Sequence, residues 1–197
     1  TLWPCIFDLA TKGLGKFTNQ GSAKFKLHST SPDTEVWQTT LQSVWSDIDG
    51  DGDQDLYVSN DFGPDTFLEN KQGRFSKVTP IQQSSQMSGF GMGATWGDYN
   101  LDGQLDLYVS NMYSKAGIRV TEAFKDLNPA LVNSALGNRL YTKQQDNSLV
   151  YSNGKSSPFA IVAKADWSWG GQFIDFNNDA YLDLYVPNGY FSAPEPI

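Results

Sequence analysis

Three times the chain runs from a loop crowded with oxygen-bearing side chains straight into an apolar strand, at 47–60, 98–111 and 175–188. Counted from the first aspartate of each copy, positions 1, 3, 5 and 9 carry Asp or Asn. Positions 10, 11, 12 and 14 are Leu, Tyr, Val and Asn in all three. The β-branched and aromatic run after each loop reads as strand. A chain built this way must repeat one unit in which an acidic bend feeds a buried strand.

Carboxylates at alternate positions of a tight loop repel, by about 1 kcal/mol at 4 Å in water and several-fold more near a protein surface. A cation removes that cost. Oxygen ligands at this density suit Ca²⁺, which takes six to eight of them, whereas Mg²⁺ keeps water and uses fewer protein ligands. Zn²⁺ prefers Cys and His, and the chain offers only Cys5 and His28. Position 7 is Asp53, Gln104 or Tyr181, so side-chain identity is free there, as expected of a residue that lends its backbone carbonyl. Gly52 and Gly103 at position 6 suit a bend with positive φ. The loop is not an EF-hand, because position 12 is Val58, Val109 or Val186 instead of a bidentate Glu. Position 9 must close the shell.

The three sites should differ. The first has four carboxylates, Asp47, Asp49, Asp51 and Asp55, whereas Asn100 and Asn177 replace one in each of the others. Ligand charge tunes calcium affinity, so the first loop should bind most tightly. The third carries Ala180 where the others have Gly, and is the weakest of the three. Solvated turns would explain one such loop; three copies with matching ligand positions argue against that.

The chain has 197 residues, 39% of them hydrophobic and 14% aromatic, enough for one folded domain. No apolar run is long enough to cross a membrane. The formal charge of −8 disfavours nucleic acid and anionic membranes as partners. Three divalent cations would bring that charge to about −2, so the acidity describes metal sites more than a binding face. The start, Thr1-Leu2-Trp3-Pro4, lacks Met and the features of a signal peptide, and we read the chain as processed or truncated. A single cysteine excludes an internal disulfide. Weak calcium loops, with affinities of about 10⁻⁴ to 10⁻³ M, fill outside the cytosol, so an extracellular, cell-surface or periplasmic location is expected.

Around the loops the organisation repeats. Phe17–Phe25 reads as a hairpin, Phe67–Phe75 as a second, and Leu140–Lys143 with Leu149–Tyr151 as a looser third. An aromatic residue, Trp45, Trp96 or Phe173, stands two positions before each loop and is expected to pack between sheets. Each unit therefore reads strand, loop, strand, hairpin. Copies start at 47, 98 and 175, separated by 51 and then 77 residues. Four-stranded units at such periods are the signature of β-propeller blades. The expected fold is all-β, a partial propeller of about three blades. Its parts are an incomplete blade 1–40, blades 41–90 and 91–160, and an incomplete blade 161–197. The second blade carries an insertion, 112–137, with a short helix expected from Ala130 to Leu136 between Asn128-Pro129 and Gly137.

These residues resemble the FG-GAP/VCBS repeat family, whose calcium-binding blades build integrin α-subunit propellers and many bacterial surface proteins. The matching stretches are Trp45–Asn60, Gly91–Asn111 and Trp169–Gly189, and the later two are also similar to the ASPIC/UnbV group of cartilage acidic protein-like chains. The resemblance implies calcium ligands at Asp47, Asp49, Asp51, Asp53 (carbonyl) and Asp55. In the second copy it implies Asp98, Asn100, Asp102, Gln104 (carbonyl) and Asp106, and in the third Asp175, Asn177, Asp179, Tyr181 (carbonyl) and Asp183. It implies up to three Ca²⁺ ions and is silent on the ligand.

A non-catalytic, calcium-stabilised binding or adhesion module, with a protein or glycan ligand, is the leading expectation. Nearly every clustered acid is claimed by a loop, and Asp61 and Asp65 are the spare ones, explained by turn chemistry. One His and one Cys leave little for nucleophilic catalysis. The alternatives are an accessory propeller of a polysaccharide-active enzyme and a structural subunit that self-associates through exposed blade edges.

Overall fold

The computed structural model describes residues 16–21, 24–28, 39–81, 88–113, 134, 136–154 and 156–189. Strands β1 (Lys16–Asn19) and β2 (Phe25–His28) form the first expected hairpin, closed by the Gln20 and Lys24 amides donating to Lys24 and Gly21 carbonyls. The first loop copy joins β3 (Thr39–Ser46) to β4 (Asp55–Asp61). A short β5 (Gly63–Pro64) leads to β6 (Thr66–Lys71) and β7 (Arg74–Val78), and the antiparallel order is β3-β4-β6-β7. After β8 (Ser88–Gly89), which pairs with β5, the pattern returns. Strands β9 (Gly93–Gly97), β10 (Asp106–Ser110), β11 (Arg139–Lys143) and β12 (Leu149–Tyr151) make a second four-stranded antiparallel sheet. The third copy joins β13 (Gln172–Ile174) to β14 (Asp183–Tyr185), a two-stranded sheet among the described residues. Mostly strand and built of blade-like sheets, the chain is all-β.

The sheets stack in chain order, with β3 beside β9 and β9 beside β13. Alternation along the strand after each loop explains how. On β4, Tyr57 points toward the second sheet and joins a cluster with Leu107, Val109 and Tyr141, while Leu56 and Val58 face the other way into a smaller cluster with Leu68. On β10, Leu107 and Val109 point back at the first sheet, and Tyr108 points forward to Phe173 on β13, rings 6.2 Å apart and edge-on. In the first two copies position 11 therefore meets the following sheet, and in the second copy positions 10 and 12 meet the preceding one. Tyr57 and Tyr108 are fully buried, whereas Tyr185 of the third sheet is 63% exposed. Gly171 allows the second joint to close, since a Cβ there would lie 2.6 Å from the Tyr108 ring. Each aromatic side chain so buried stabilises by about 2–3 kcal/mol.

The aromatic residue before each loop follows its sheet. Trp96 packs against the first cluster, and Phe173 stacks on Tyr99 at 6.3 Å. Trp45 departs from expectation: it is 51% exposed, and its ring meets Phe75 of its own sheet. The reason is its side of the stack. The second sheet covers the face carrying Tyr57, and Trp45 lies with Phe75 on the opposite one.

Two further features correct the sequence reading. Ser134 is helical, inside the expected helix, but Leu136 forms an antiparallel bridge with Tyr113, so the helix does not extend to it; residues 128–133 and 135 lie outside the described residues. A 3-10 helix, Pro158–Ala163, which the sequence reading passed over, sits against β11. Its signature is present: the Ser157 side chain accepts from the Phe159 amide, and Pro158 opens the helix. Its Val162 carbonyl accepts from the Tyr108 hydroxyl at 3.1 Å, pinning the second joint.

Candidate metal centre

Each loop is wound on its first aspartate. Asp47 accepts from the Gly50 amide through Oδ1 (2.8 Å) and from the Gly52 amide through Oδ2 (3.0 Å). Asp98 accepts from Asp102 and Gly103 at 3.0 and 2.9 Å, and Asp175 accepts from Asp179 and Ala180 at 3.1 and 2.9 Å. Position 5 also holds the bend: Asp51, Asp102 and Asp179 accept from the amides of Asp53, Gln104 and Tyr181 at 2.8–2.9 Å. Loops two and three thus match bond for bond, although their sequences differ at positions 2, 4, 6 and 7.

Position 6 has positive φ throughout: Gly52 +92°, Gly103 +81°, Ala180 +71°. So does position 4, where Gly50, Leu101 and Asn178 stand at +79°, +60° and +63°. The sequence reading missed position 4, where Leu101 is out of place. A left-handed conformation costs a non-Gly residue about 1–2 kcal/mol, and the entropy of an unfolded glycine returns part of it. Ala180→Gly and Leu101→Gly should therefore each stabilise the fold by about 0.5–1 kcal/mol, read as a rise in the midpoint of denaturant unfolding. A loss of stability in both would count against strained bends.

At position 9 the chain leaves the loop and enters the core. Asp55 and Asp106 are buried at the first residue of β4 and β10. Asp55 accepts from the amides of Ile48 and Asn70, each at 2.8 Å. Asp106 Oδ1 accepts from the Lys143 amide at 2.8 Å, while its Oδ2 is buried with no hydrogen-bond partner. Asp183 Oδ2 is likewise buried and unpartnered. Burial raises the Asp55 carboxyl above its ordinary range, with Asp49 adding a smaller push. Burial lifts Asp106 to about 6; the Lys143 amide opposes this, and the charges of Asp102 and Asp98 add to it. A buried acceptor oxygen without a partner is costly, and a cation is one way to satisfy it.

The carboxylates that converge belong to the first loop. Asp47, Asp49 and Asp55 bring oxygens within 4.8 Å of one another, the one such acidic group among the described residues. Asp51 lies outside that group, and the Asp53 carboxylate turns away to accept from the Gln72 amide at 2.7 Å. In the other loops the position-3 amide replaces one charge and bridges: Asn100 and Asn177 donate to Asp102 and Asp179, both at 3.0 Å. Each of those two loops therefore carries one charge fewer, although Asp102 and Asp98 still press on Asp106. The first keeps all its carboxylates, and its donor set of hard oxygens fits Ca²⁺.

The asparagine at position 14 has a structural place that the sequence did not reveal. Asn60 and Asn111 are buried at the far end of the strand, where the Asn60 side chain accepts from the Thr40 hydroxyl and donates to the Pro64 carbonyl, and the Asn111 side chain donates to the Val109 carbonyl while its backbone N–H donates to the Asn138 side chain. Its invariance over three copies was the available signal. Asp65, read as a turn residue, is also buried, accepting from the Tyr57 hydroxyl at 2.6 Å and the Asn60 amide at 2.8 Å. Burial pushes its carboxyl up to about 6.

Four-stranded antiparallel sheets, each entered through an acidic loop between its first two strands, define a blade-repeat protein. Residues 47–109, which run from the first loop into β10, match the model of the FG-GAP-like repeat. No curated protein matches the chain. The third loop lies beyond the matched residues, yet it repeats the hydrogen bonds of the second.

Proposed function

We propose that this is a calcium-stabilised, non-catalytic binding or adhesion module that works in an extracellular, cell-surface or periplasmic setting. The observation that carries the reading is the convergence of Asp47, Asp49 and Asp55 at the root of a buried strand. Calcium would supply positive charge and multiple oxygen coordination there, drawing on Asp47, Asp49, Asp51, Asp55 and the Asp53 carbonyl. The second and third loops offer the same positions with one charge fewer, and the unpartnered oxygens of Asp106 and Asp183 suit the same occupant. Held this way, the bends fix the ends of β4, β10 and β14, and the connecting loops become a rigid frame for a protein or glycan ligand. Of the two spare acids, Asp65 has both oxygens engaged inside the core, which supports the non-catalytic reading, whereas Asp61 keeps its Oδ1 buried without a hydrogen-bond partner.

Calorimetric titration with Ca²⁺ tests the proposal. Up to three ions should bind, the tightest lost in Asp47→Asn and the weakest in Asp175→Asn. Absence of binding at millimolar Ca²⁺ would overturn it, and the reverse order of loss would overturn the ranking. A second reading, a subunit of a surface assembly, has one observation in its favour: Tyr185 and Ile174 leave large apolar area exposed on the third sheet. Light scattering distinguishes the two.

A further inference from the structure

The first loop is held from outside at both ends. Its own hairpin grips one end, where the Gln72 amide donates to Asp53 and the Asn70 side chain donates to the Gln54 carbonyl at 3.0 Å. The other end is gripped from the neighbouring sheet. Asn147, in the turn between β11 and β12, donates through Nδ2 to the Asp49 carbonyl at 3.0 Å, across 98 residues of sequence.

That contact is prepared. Asn147 stands at φ +64°, in a turn closed by its own amide donating to Gln144 and by the Gln144 amide donating to Ser148. Two residues on, the Leu149 amide donates to the Pro80 carbonyl at 3.0 Å, and Leu149 bridges Ile81, so the root of the hairpin is fastened to the first sheet. Between the root and the loop lies a cavity of about 170 Å³, with Asp49, Asp55 and Asn147 among its lining residues. Side-chain packing does not fill that gap, and the Asn147 amide reaches the loop beside it. Asp49 is also one of the three converging carboxylates, so the clasped residue is itself a candidate ligand.

We propose that Asn147 is a positioning residue for the first cation site, which makes this site a latch between the first and second sheets. The proposal rests on the calcium reading. Fixing the Asp49 backbone limits where its carboxylate can swing, so the loop is held closer to the geometry that accepts an ion. Linkage is reciprocal: whatever the clasp adds to ion affinity, the ion returns to the docking of the turn.

The test uses Asn147→Gly, which keeps the left-handed backbone and removes the donor. With the other loops silenced by Asp98→Asn and Asp175→Asn, Ca²⁺ titration should show affinity about fivefold weaker in Asn147→Gly, the order expected of one neutral hydrogen bond. Hydrogen exchange on the unaltered chain gives an independent reading: Ca²⁺ should slow exchange of the Leu149 and Asn147 amides, and in Asn147→Gly the slowing at Leu149 should vanish. Equal affinity in both chains overturns the proposal and leaves the calcium reading standing, as does calcium binding without any change in exchange at the turn. Failure of the parent chain to bind Ca²⁺ overturns both.

Discussion

Chelation of calcium is expected to lower the melting temperature by about 5–10 °C for each site that was filled. An ion that binds only the folded state stabilises by RT ln(1 + [L]/Kd), about 2.7 kcal/mol at a hundredfold excess over Kd. For a chain of this size each kcal/mol moves the midpoint by about 2–4 °C. The three loops should not contribute equally. The first assembles Asp47, Asp49 and Asp55 with no side-chain amide in place of a carboxylate, so it gains most from a cation. In the other two, Asn100 and Asn177 already bridge to the neighbouring aspartate and reduce the benefit. Adding magnesium after chelation should restore little, because the loops offer many oxygens in a flexible array. A melting temperature indifferent to chelator, checked by scanning calorimetry, would remove the cation from any account of stability.

The second large effect is expected at position 11. Tyr108→Ala should cost about 3–5 kcal/mol, as loss of a buried aromatic side chain does. The ring is enclosed between Phe173 and the close backbone of Gly171, and its hydroxyl donates to the 3-10 helix. Tyr185→Ala, the same change at the same position of the third copy, should fall within about 0.5 kcal/mol, because that side chain is mostly in solvent. Denaturant unfolding of the two variants gives the comparison directly. Similar losses would mean that Tyr185 is covered in solution.

The repeat made much of this legible in advance. Alternation of Leu, Tyr and Val after each loop fixes both the strand and its two faces, and the hairpins at Phe67–Phe75 and Leu140–Tyr151 follow from turn chemistry. What escaped depends on the assembled stack. Trp45 and Trp96 look alike in sequence, yet one is half exposed because burial depends on which sheet lies opposite. Leu101 shows no preference for positive φ; Asp98 imposes it by drawing in the Asp102 and Gly103 amides. Asp65 looks like a turn acid until Tyr57 comes across the strand to meet it. Asn147 touches the first loop only after a second sheet has docked, and no local pattern encodes that.

Each strand that leaves an acidic loop carries a tyrosine on one face and a Leu and a Val on the other, and where the first two such sheets meet, the tyrosine of one enters the Leu–Val face of the next. Copying the coding segment of one sheet would therefore copy both halves of a matched joint. A lineage could lengthen such an array by tandem duplication without inventing a new interface, and each added member would be oriented head to tail. Sequence drift elsewhere in the unit is then free to diversify loops while the joints stay interchangeable.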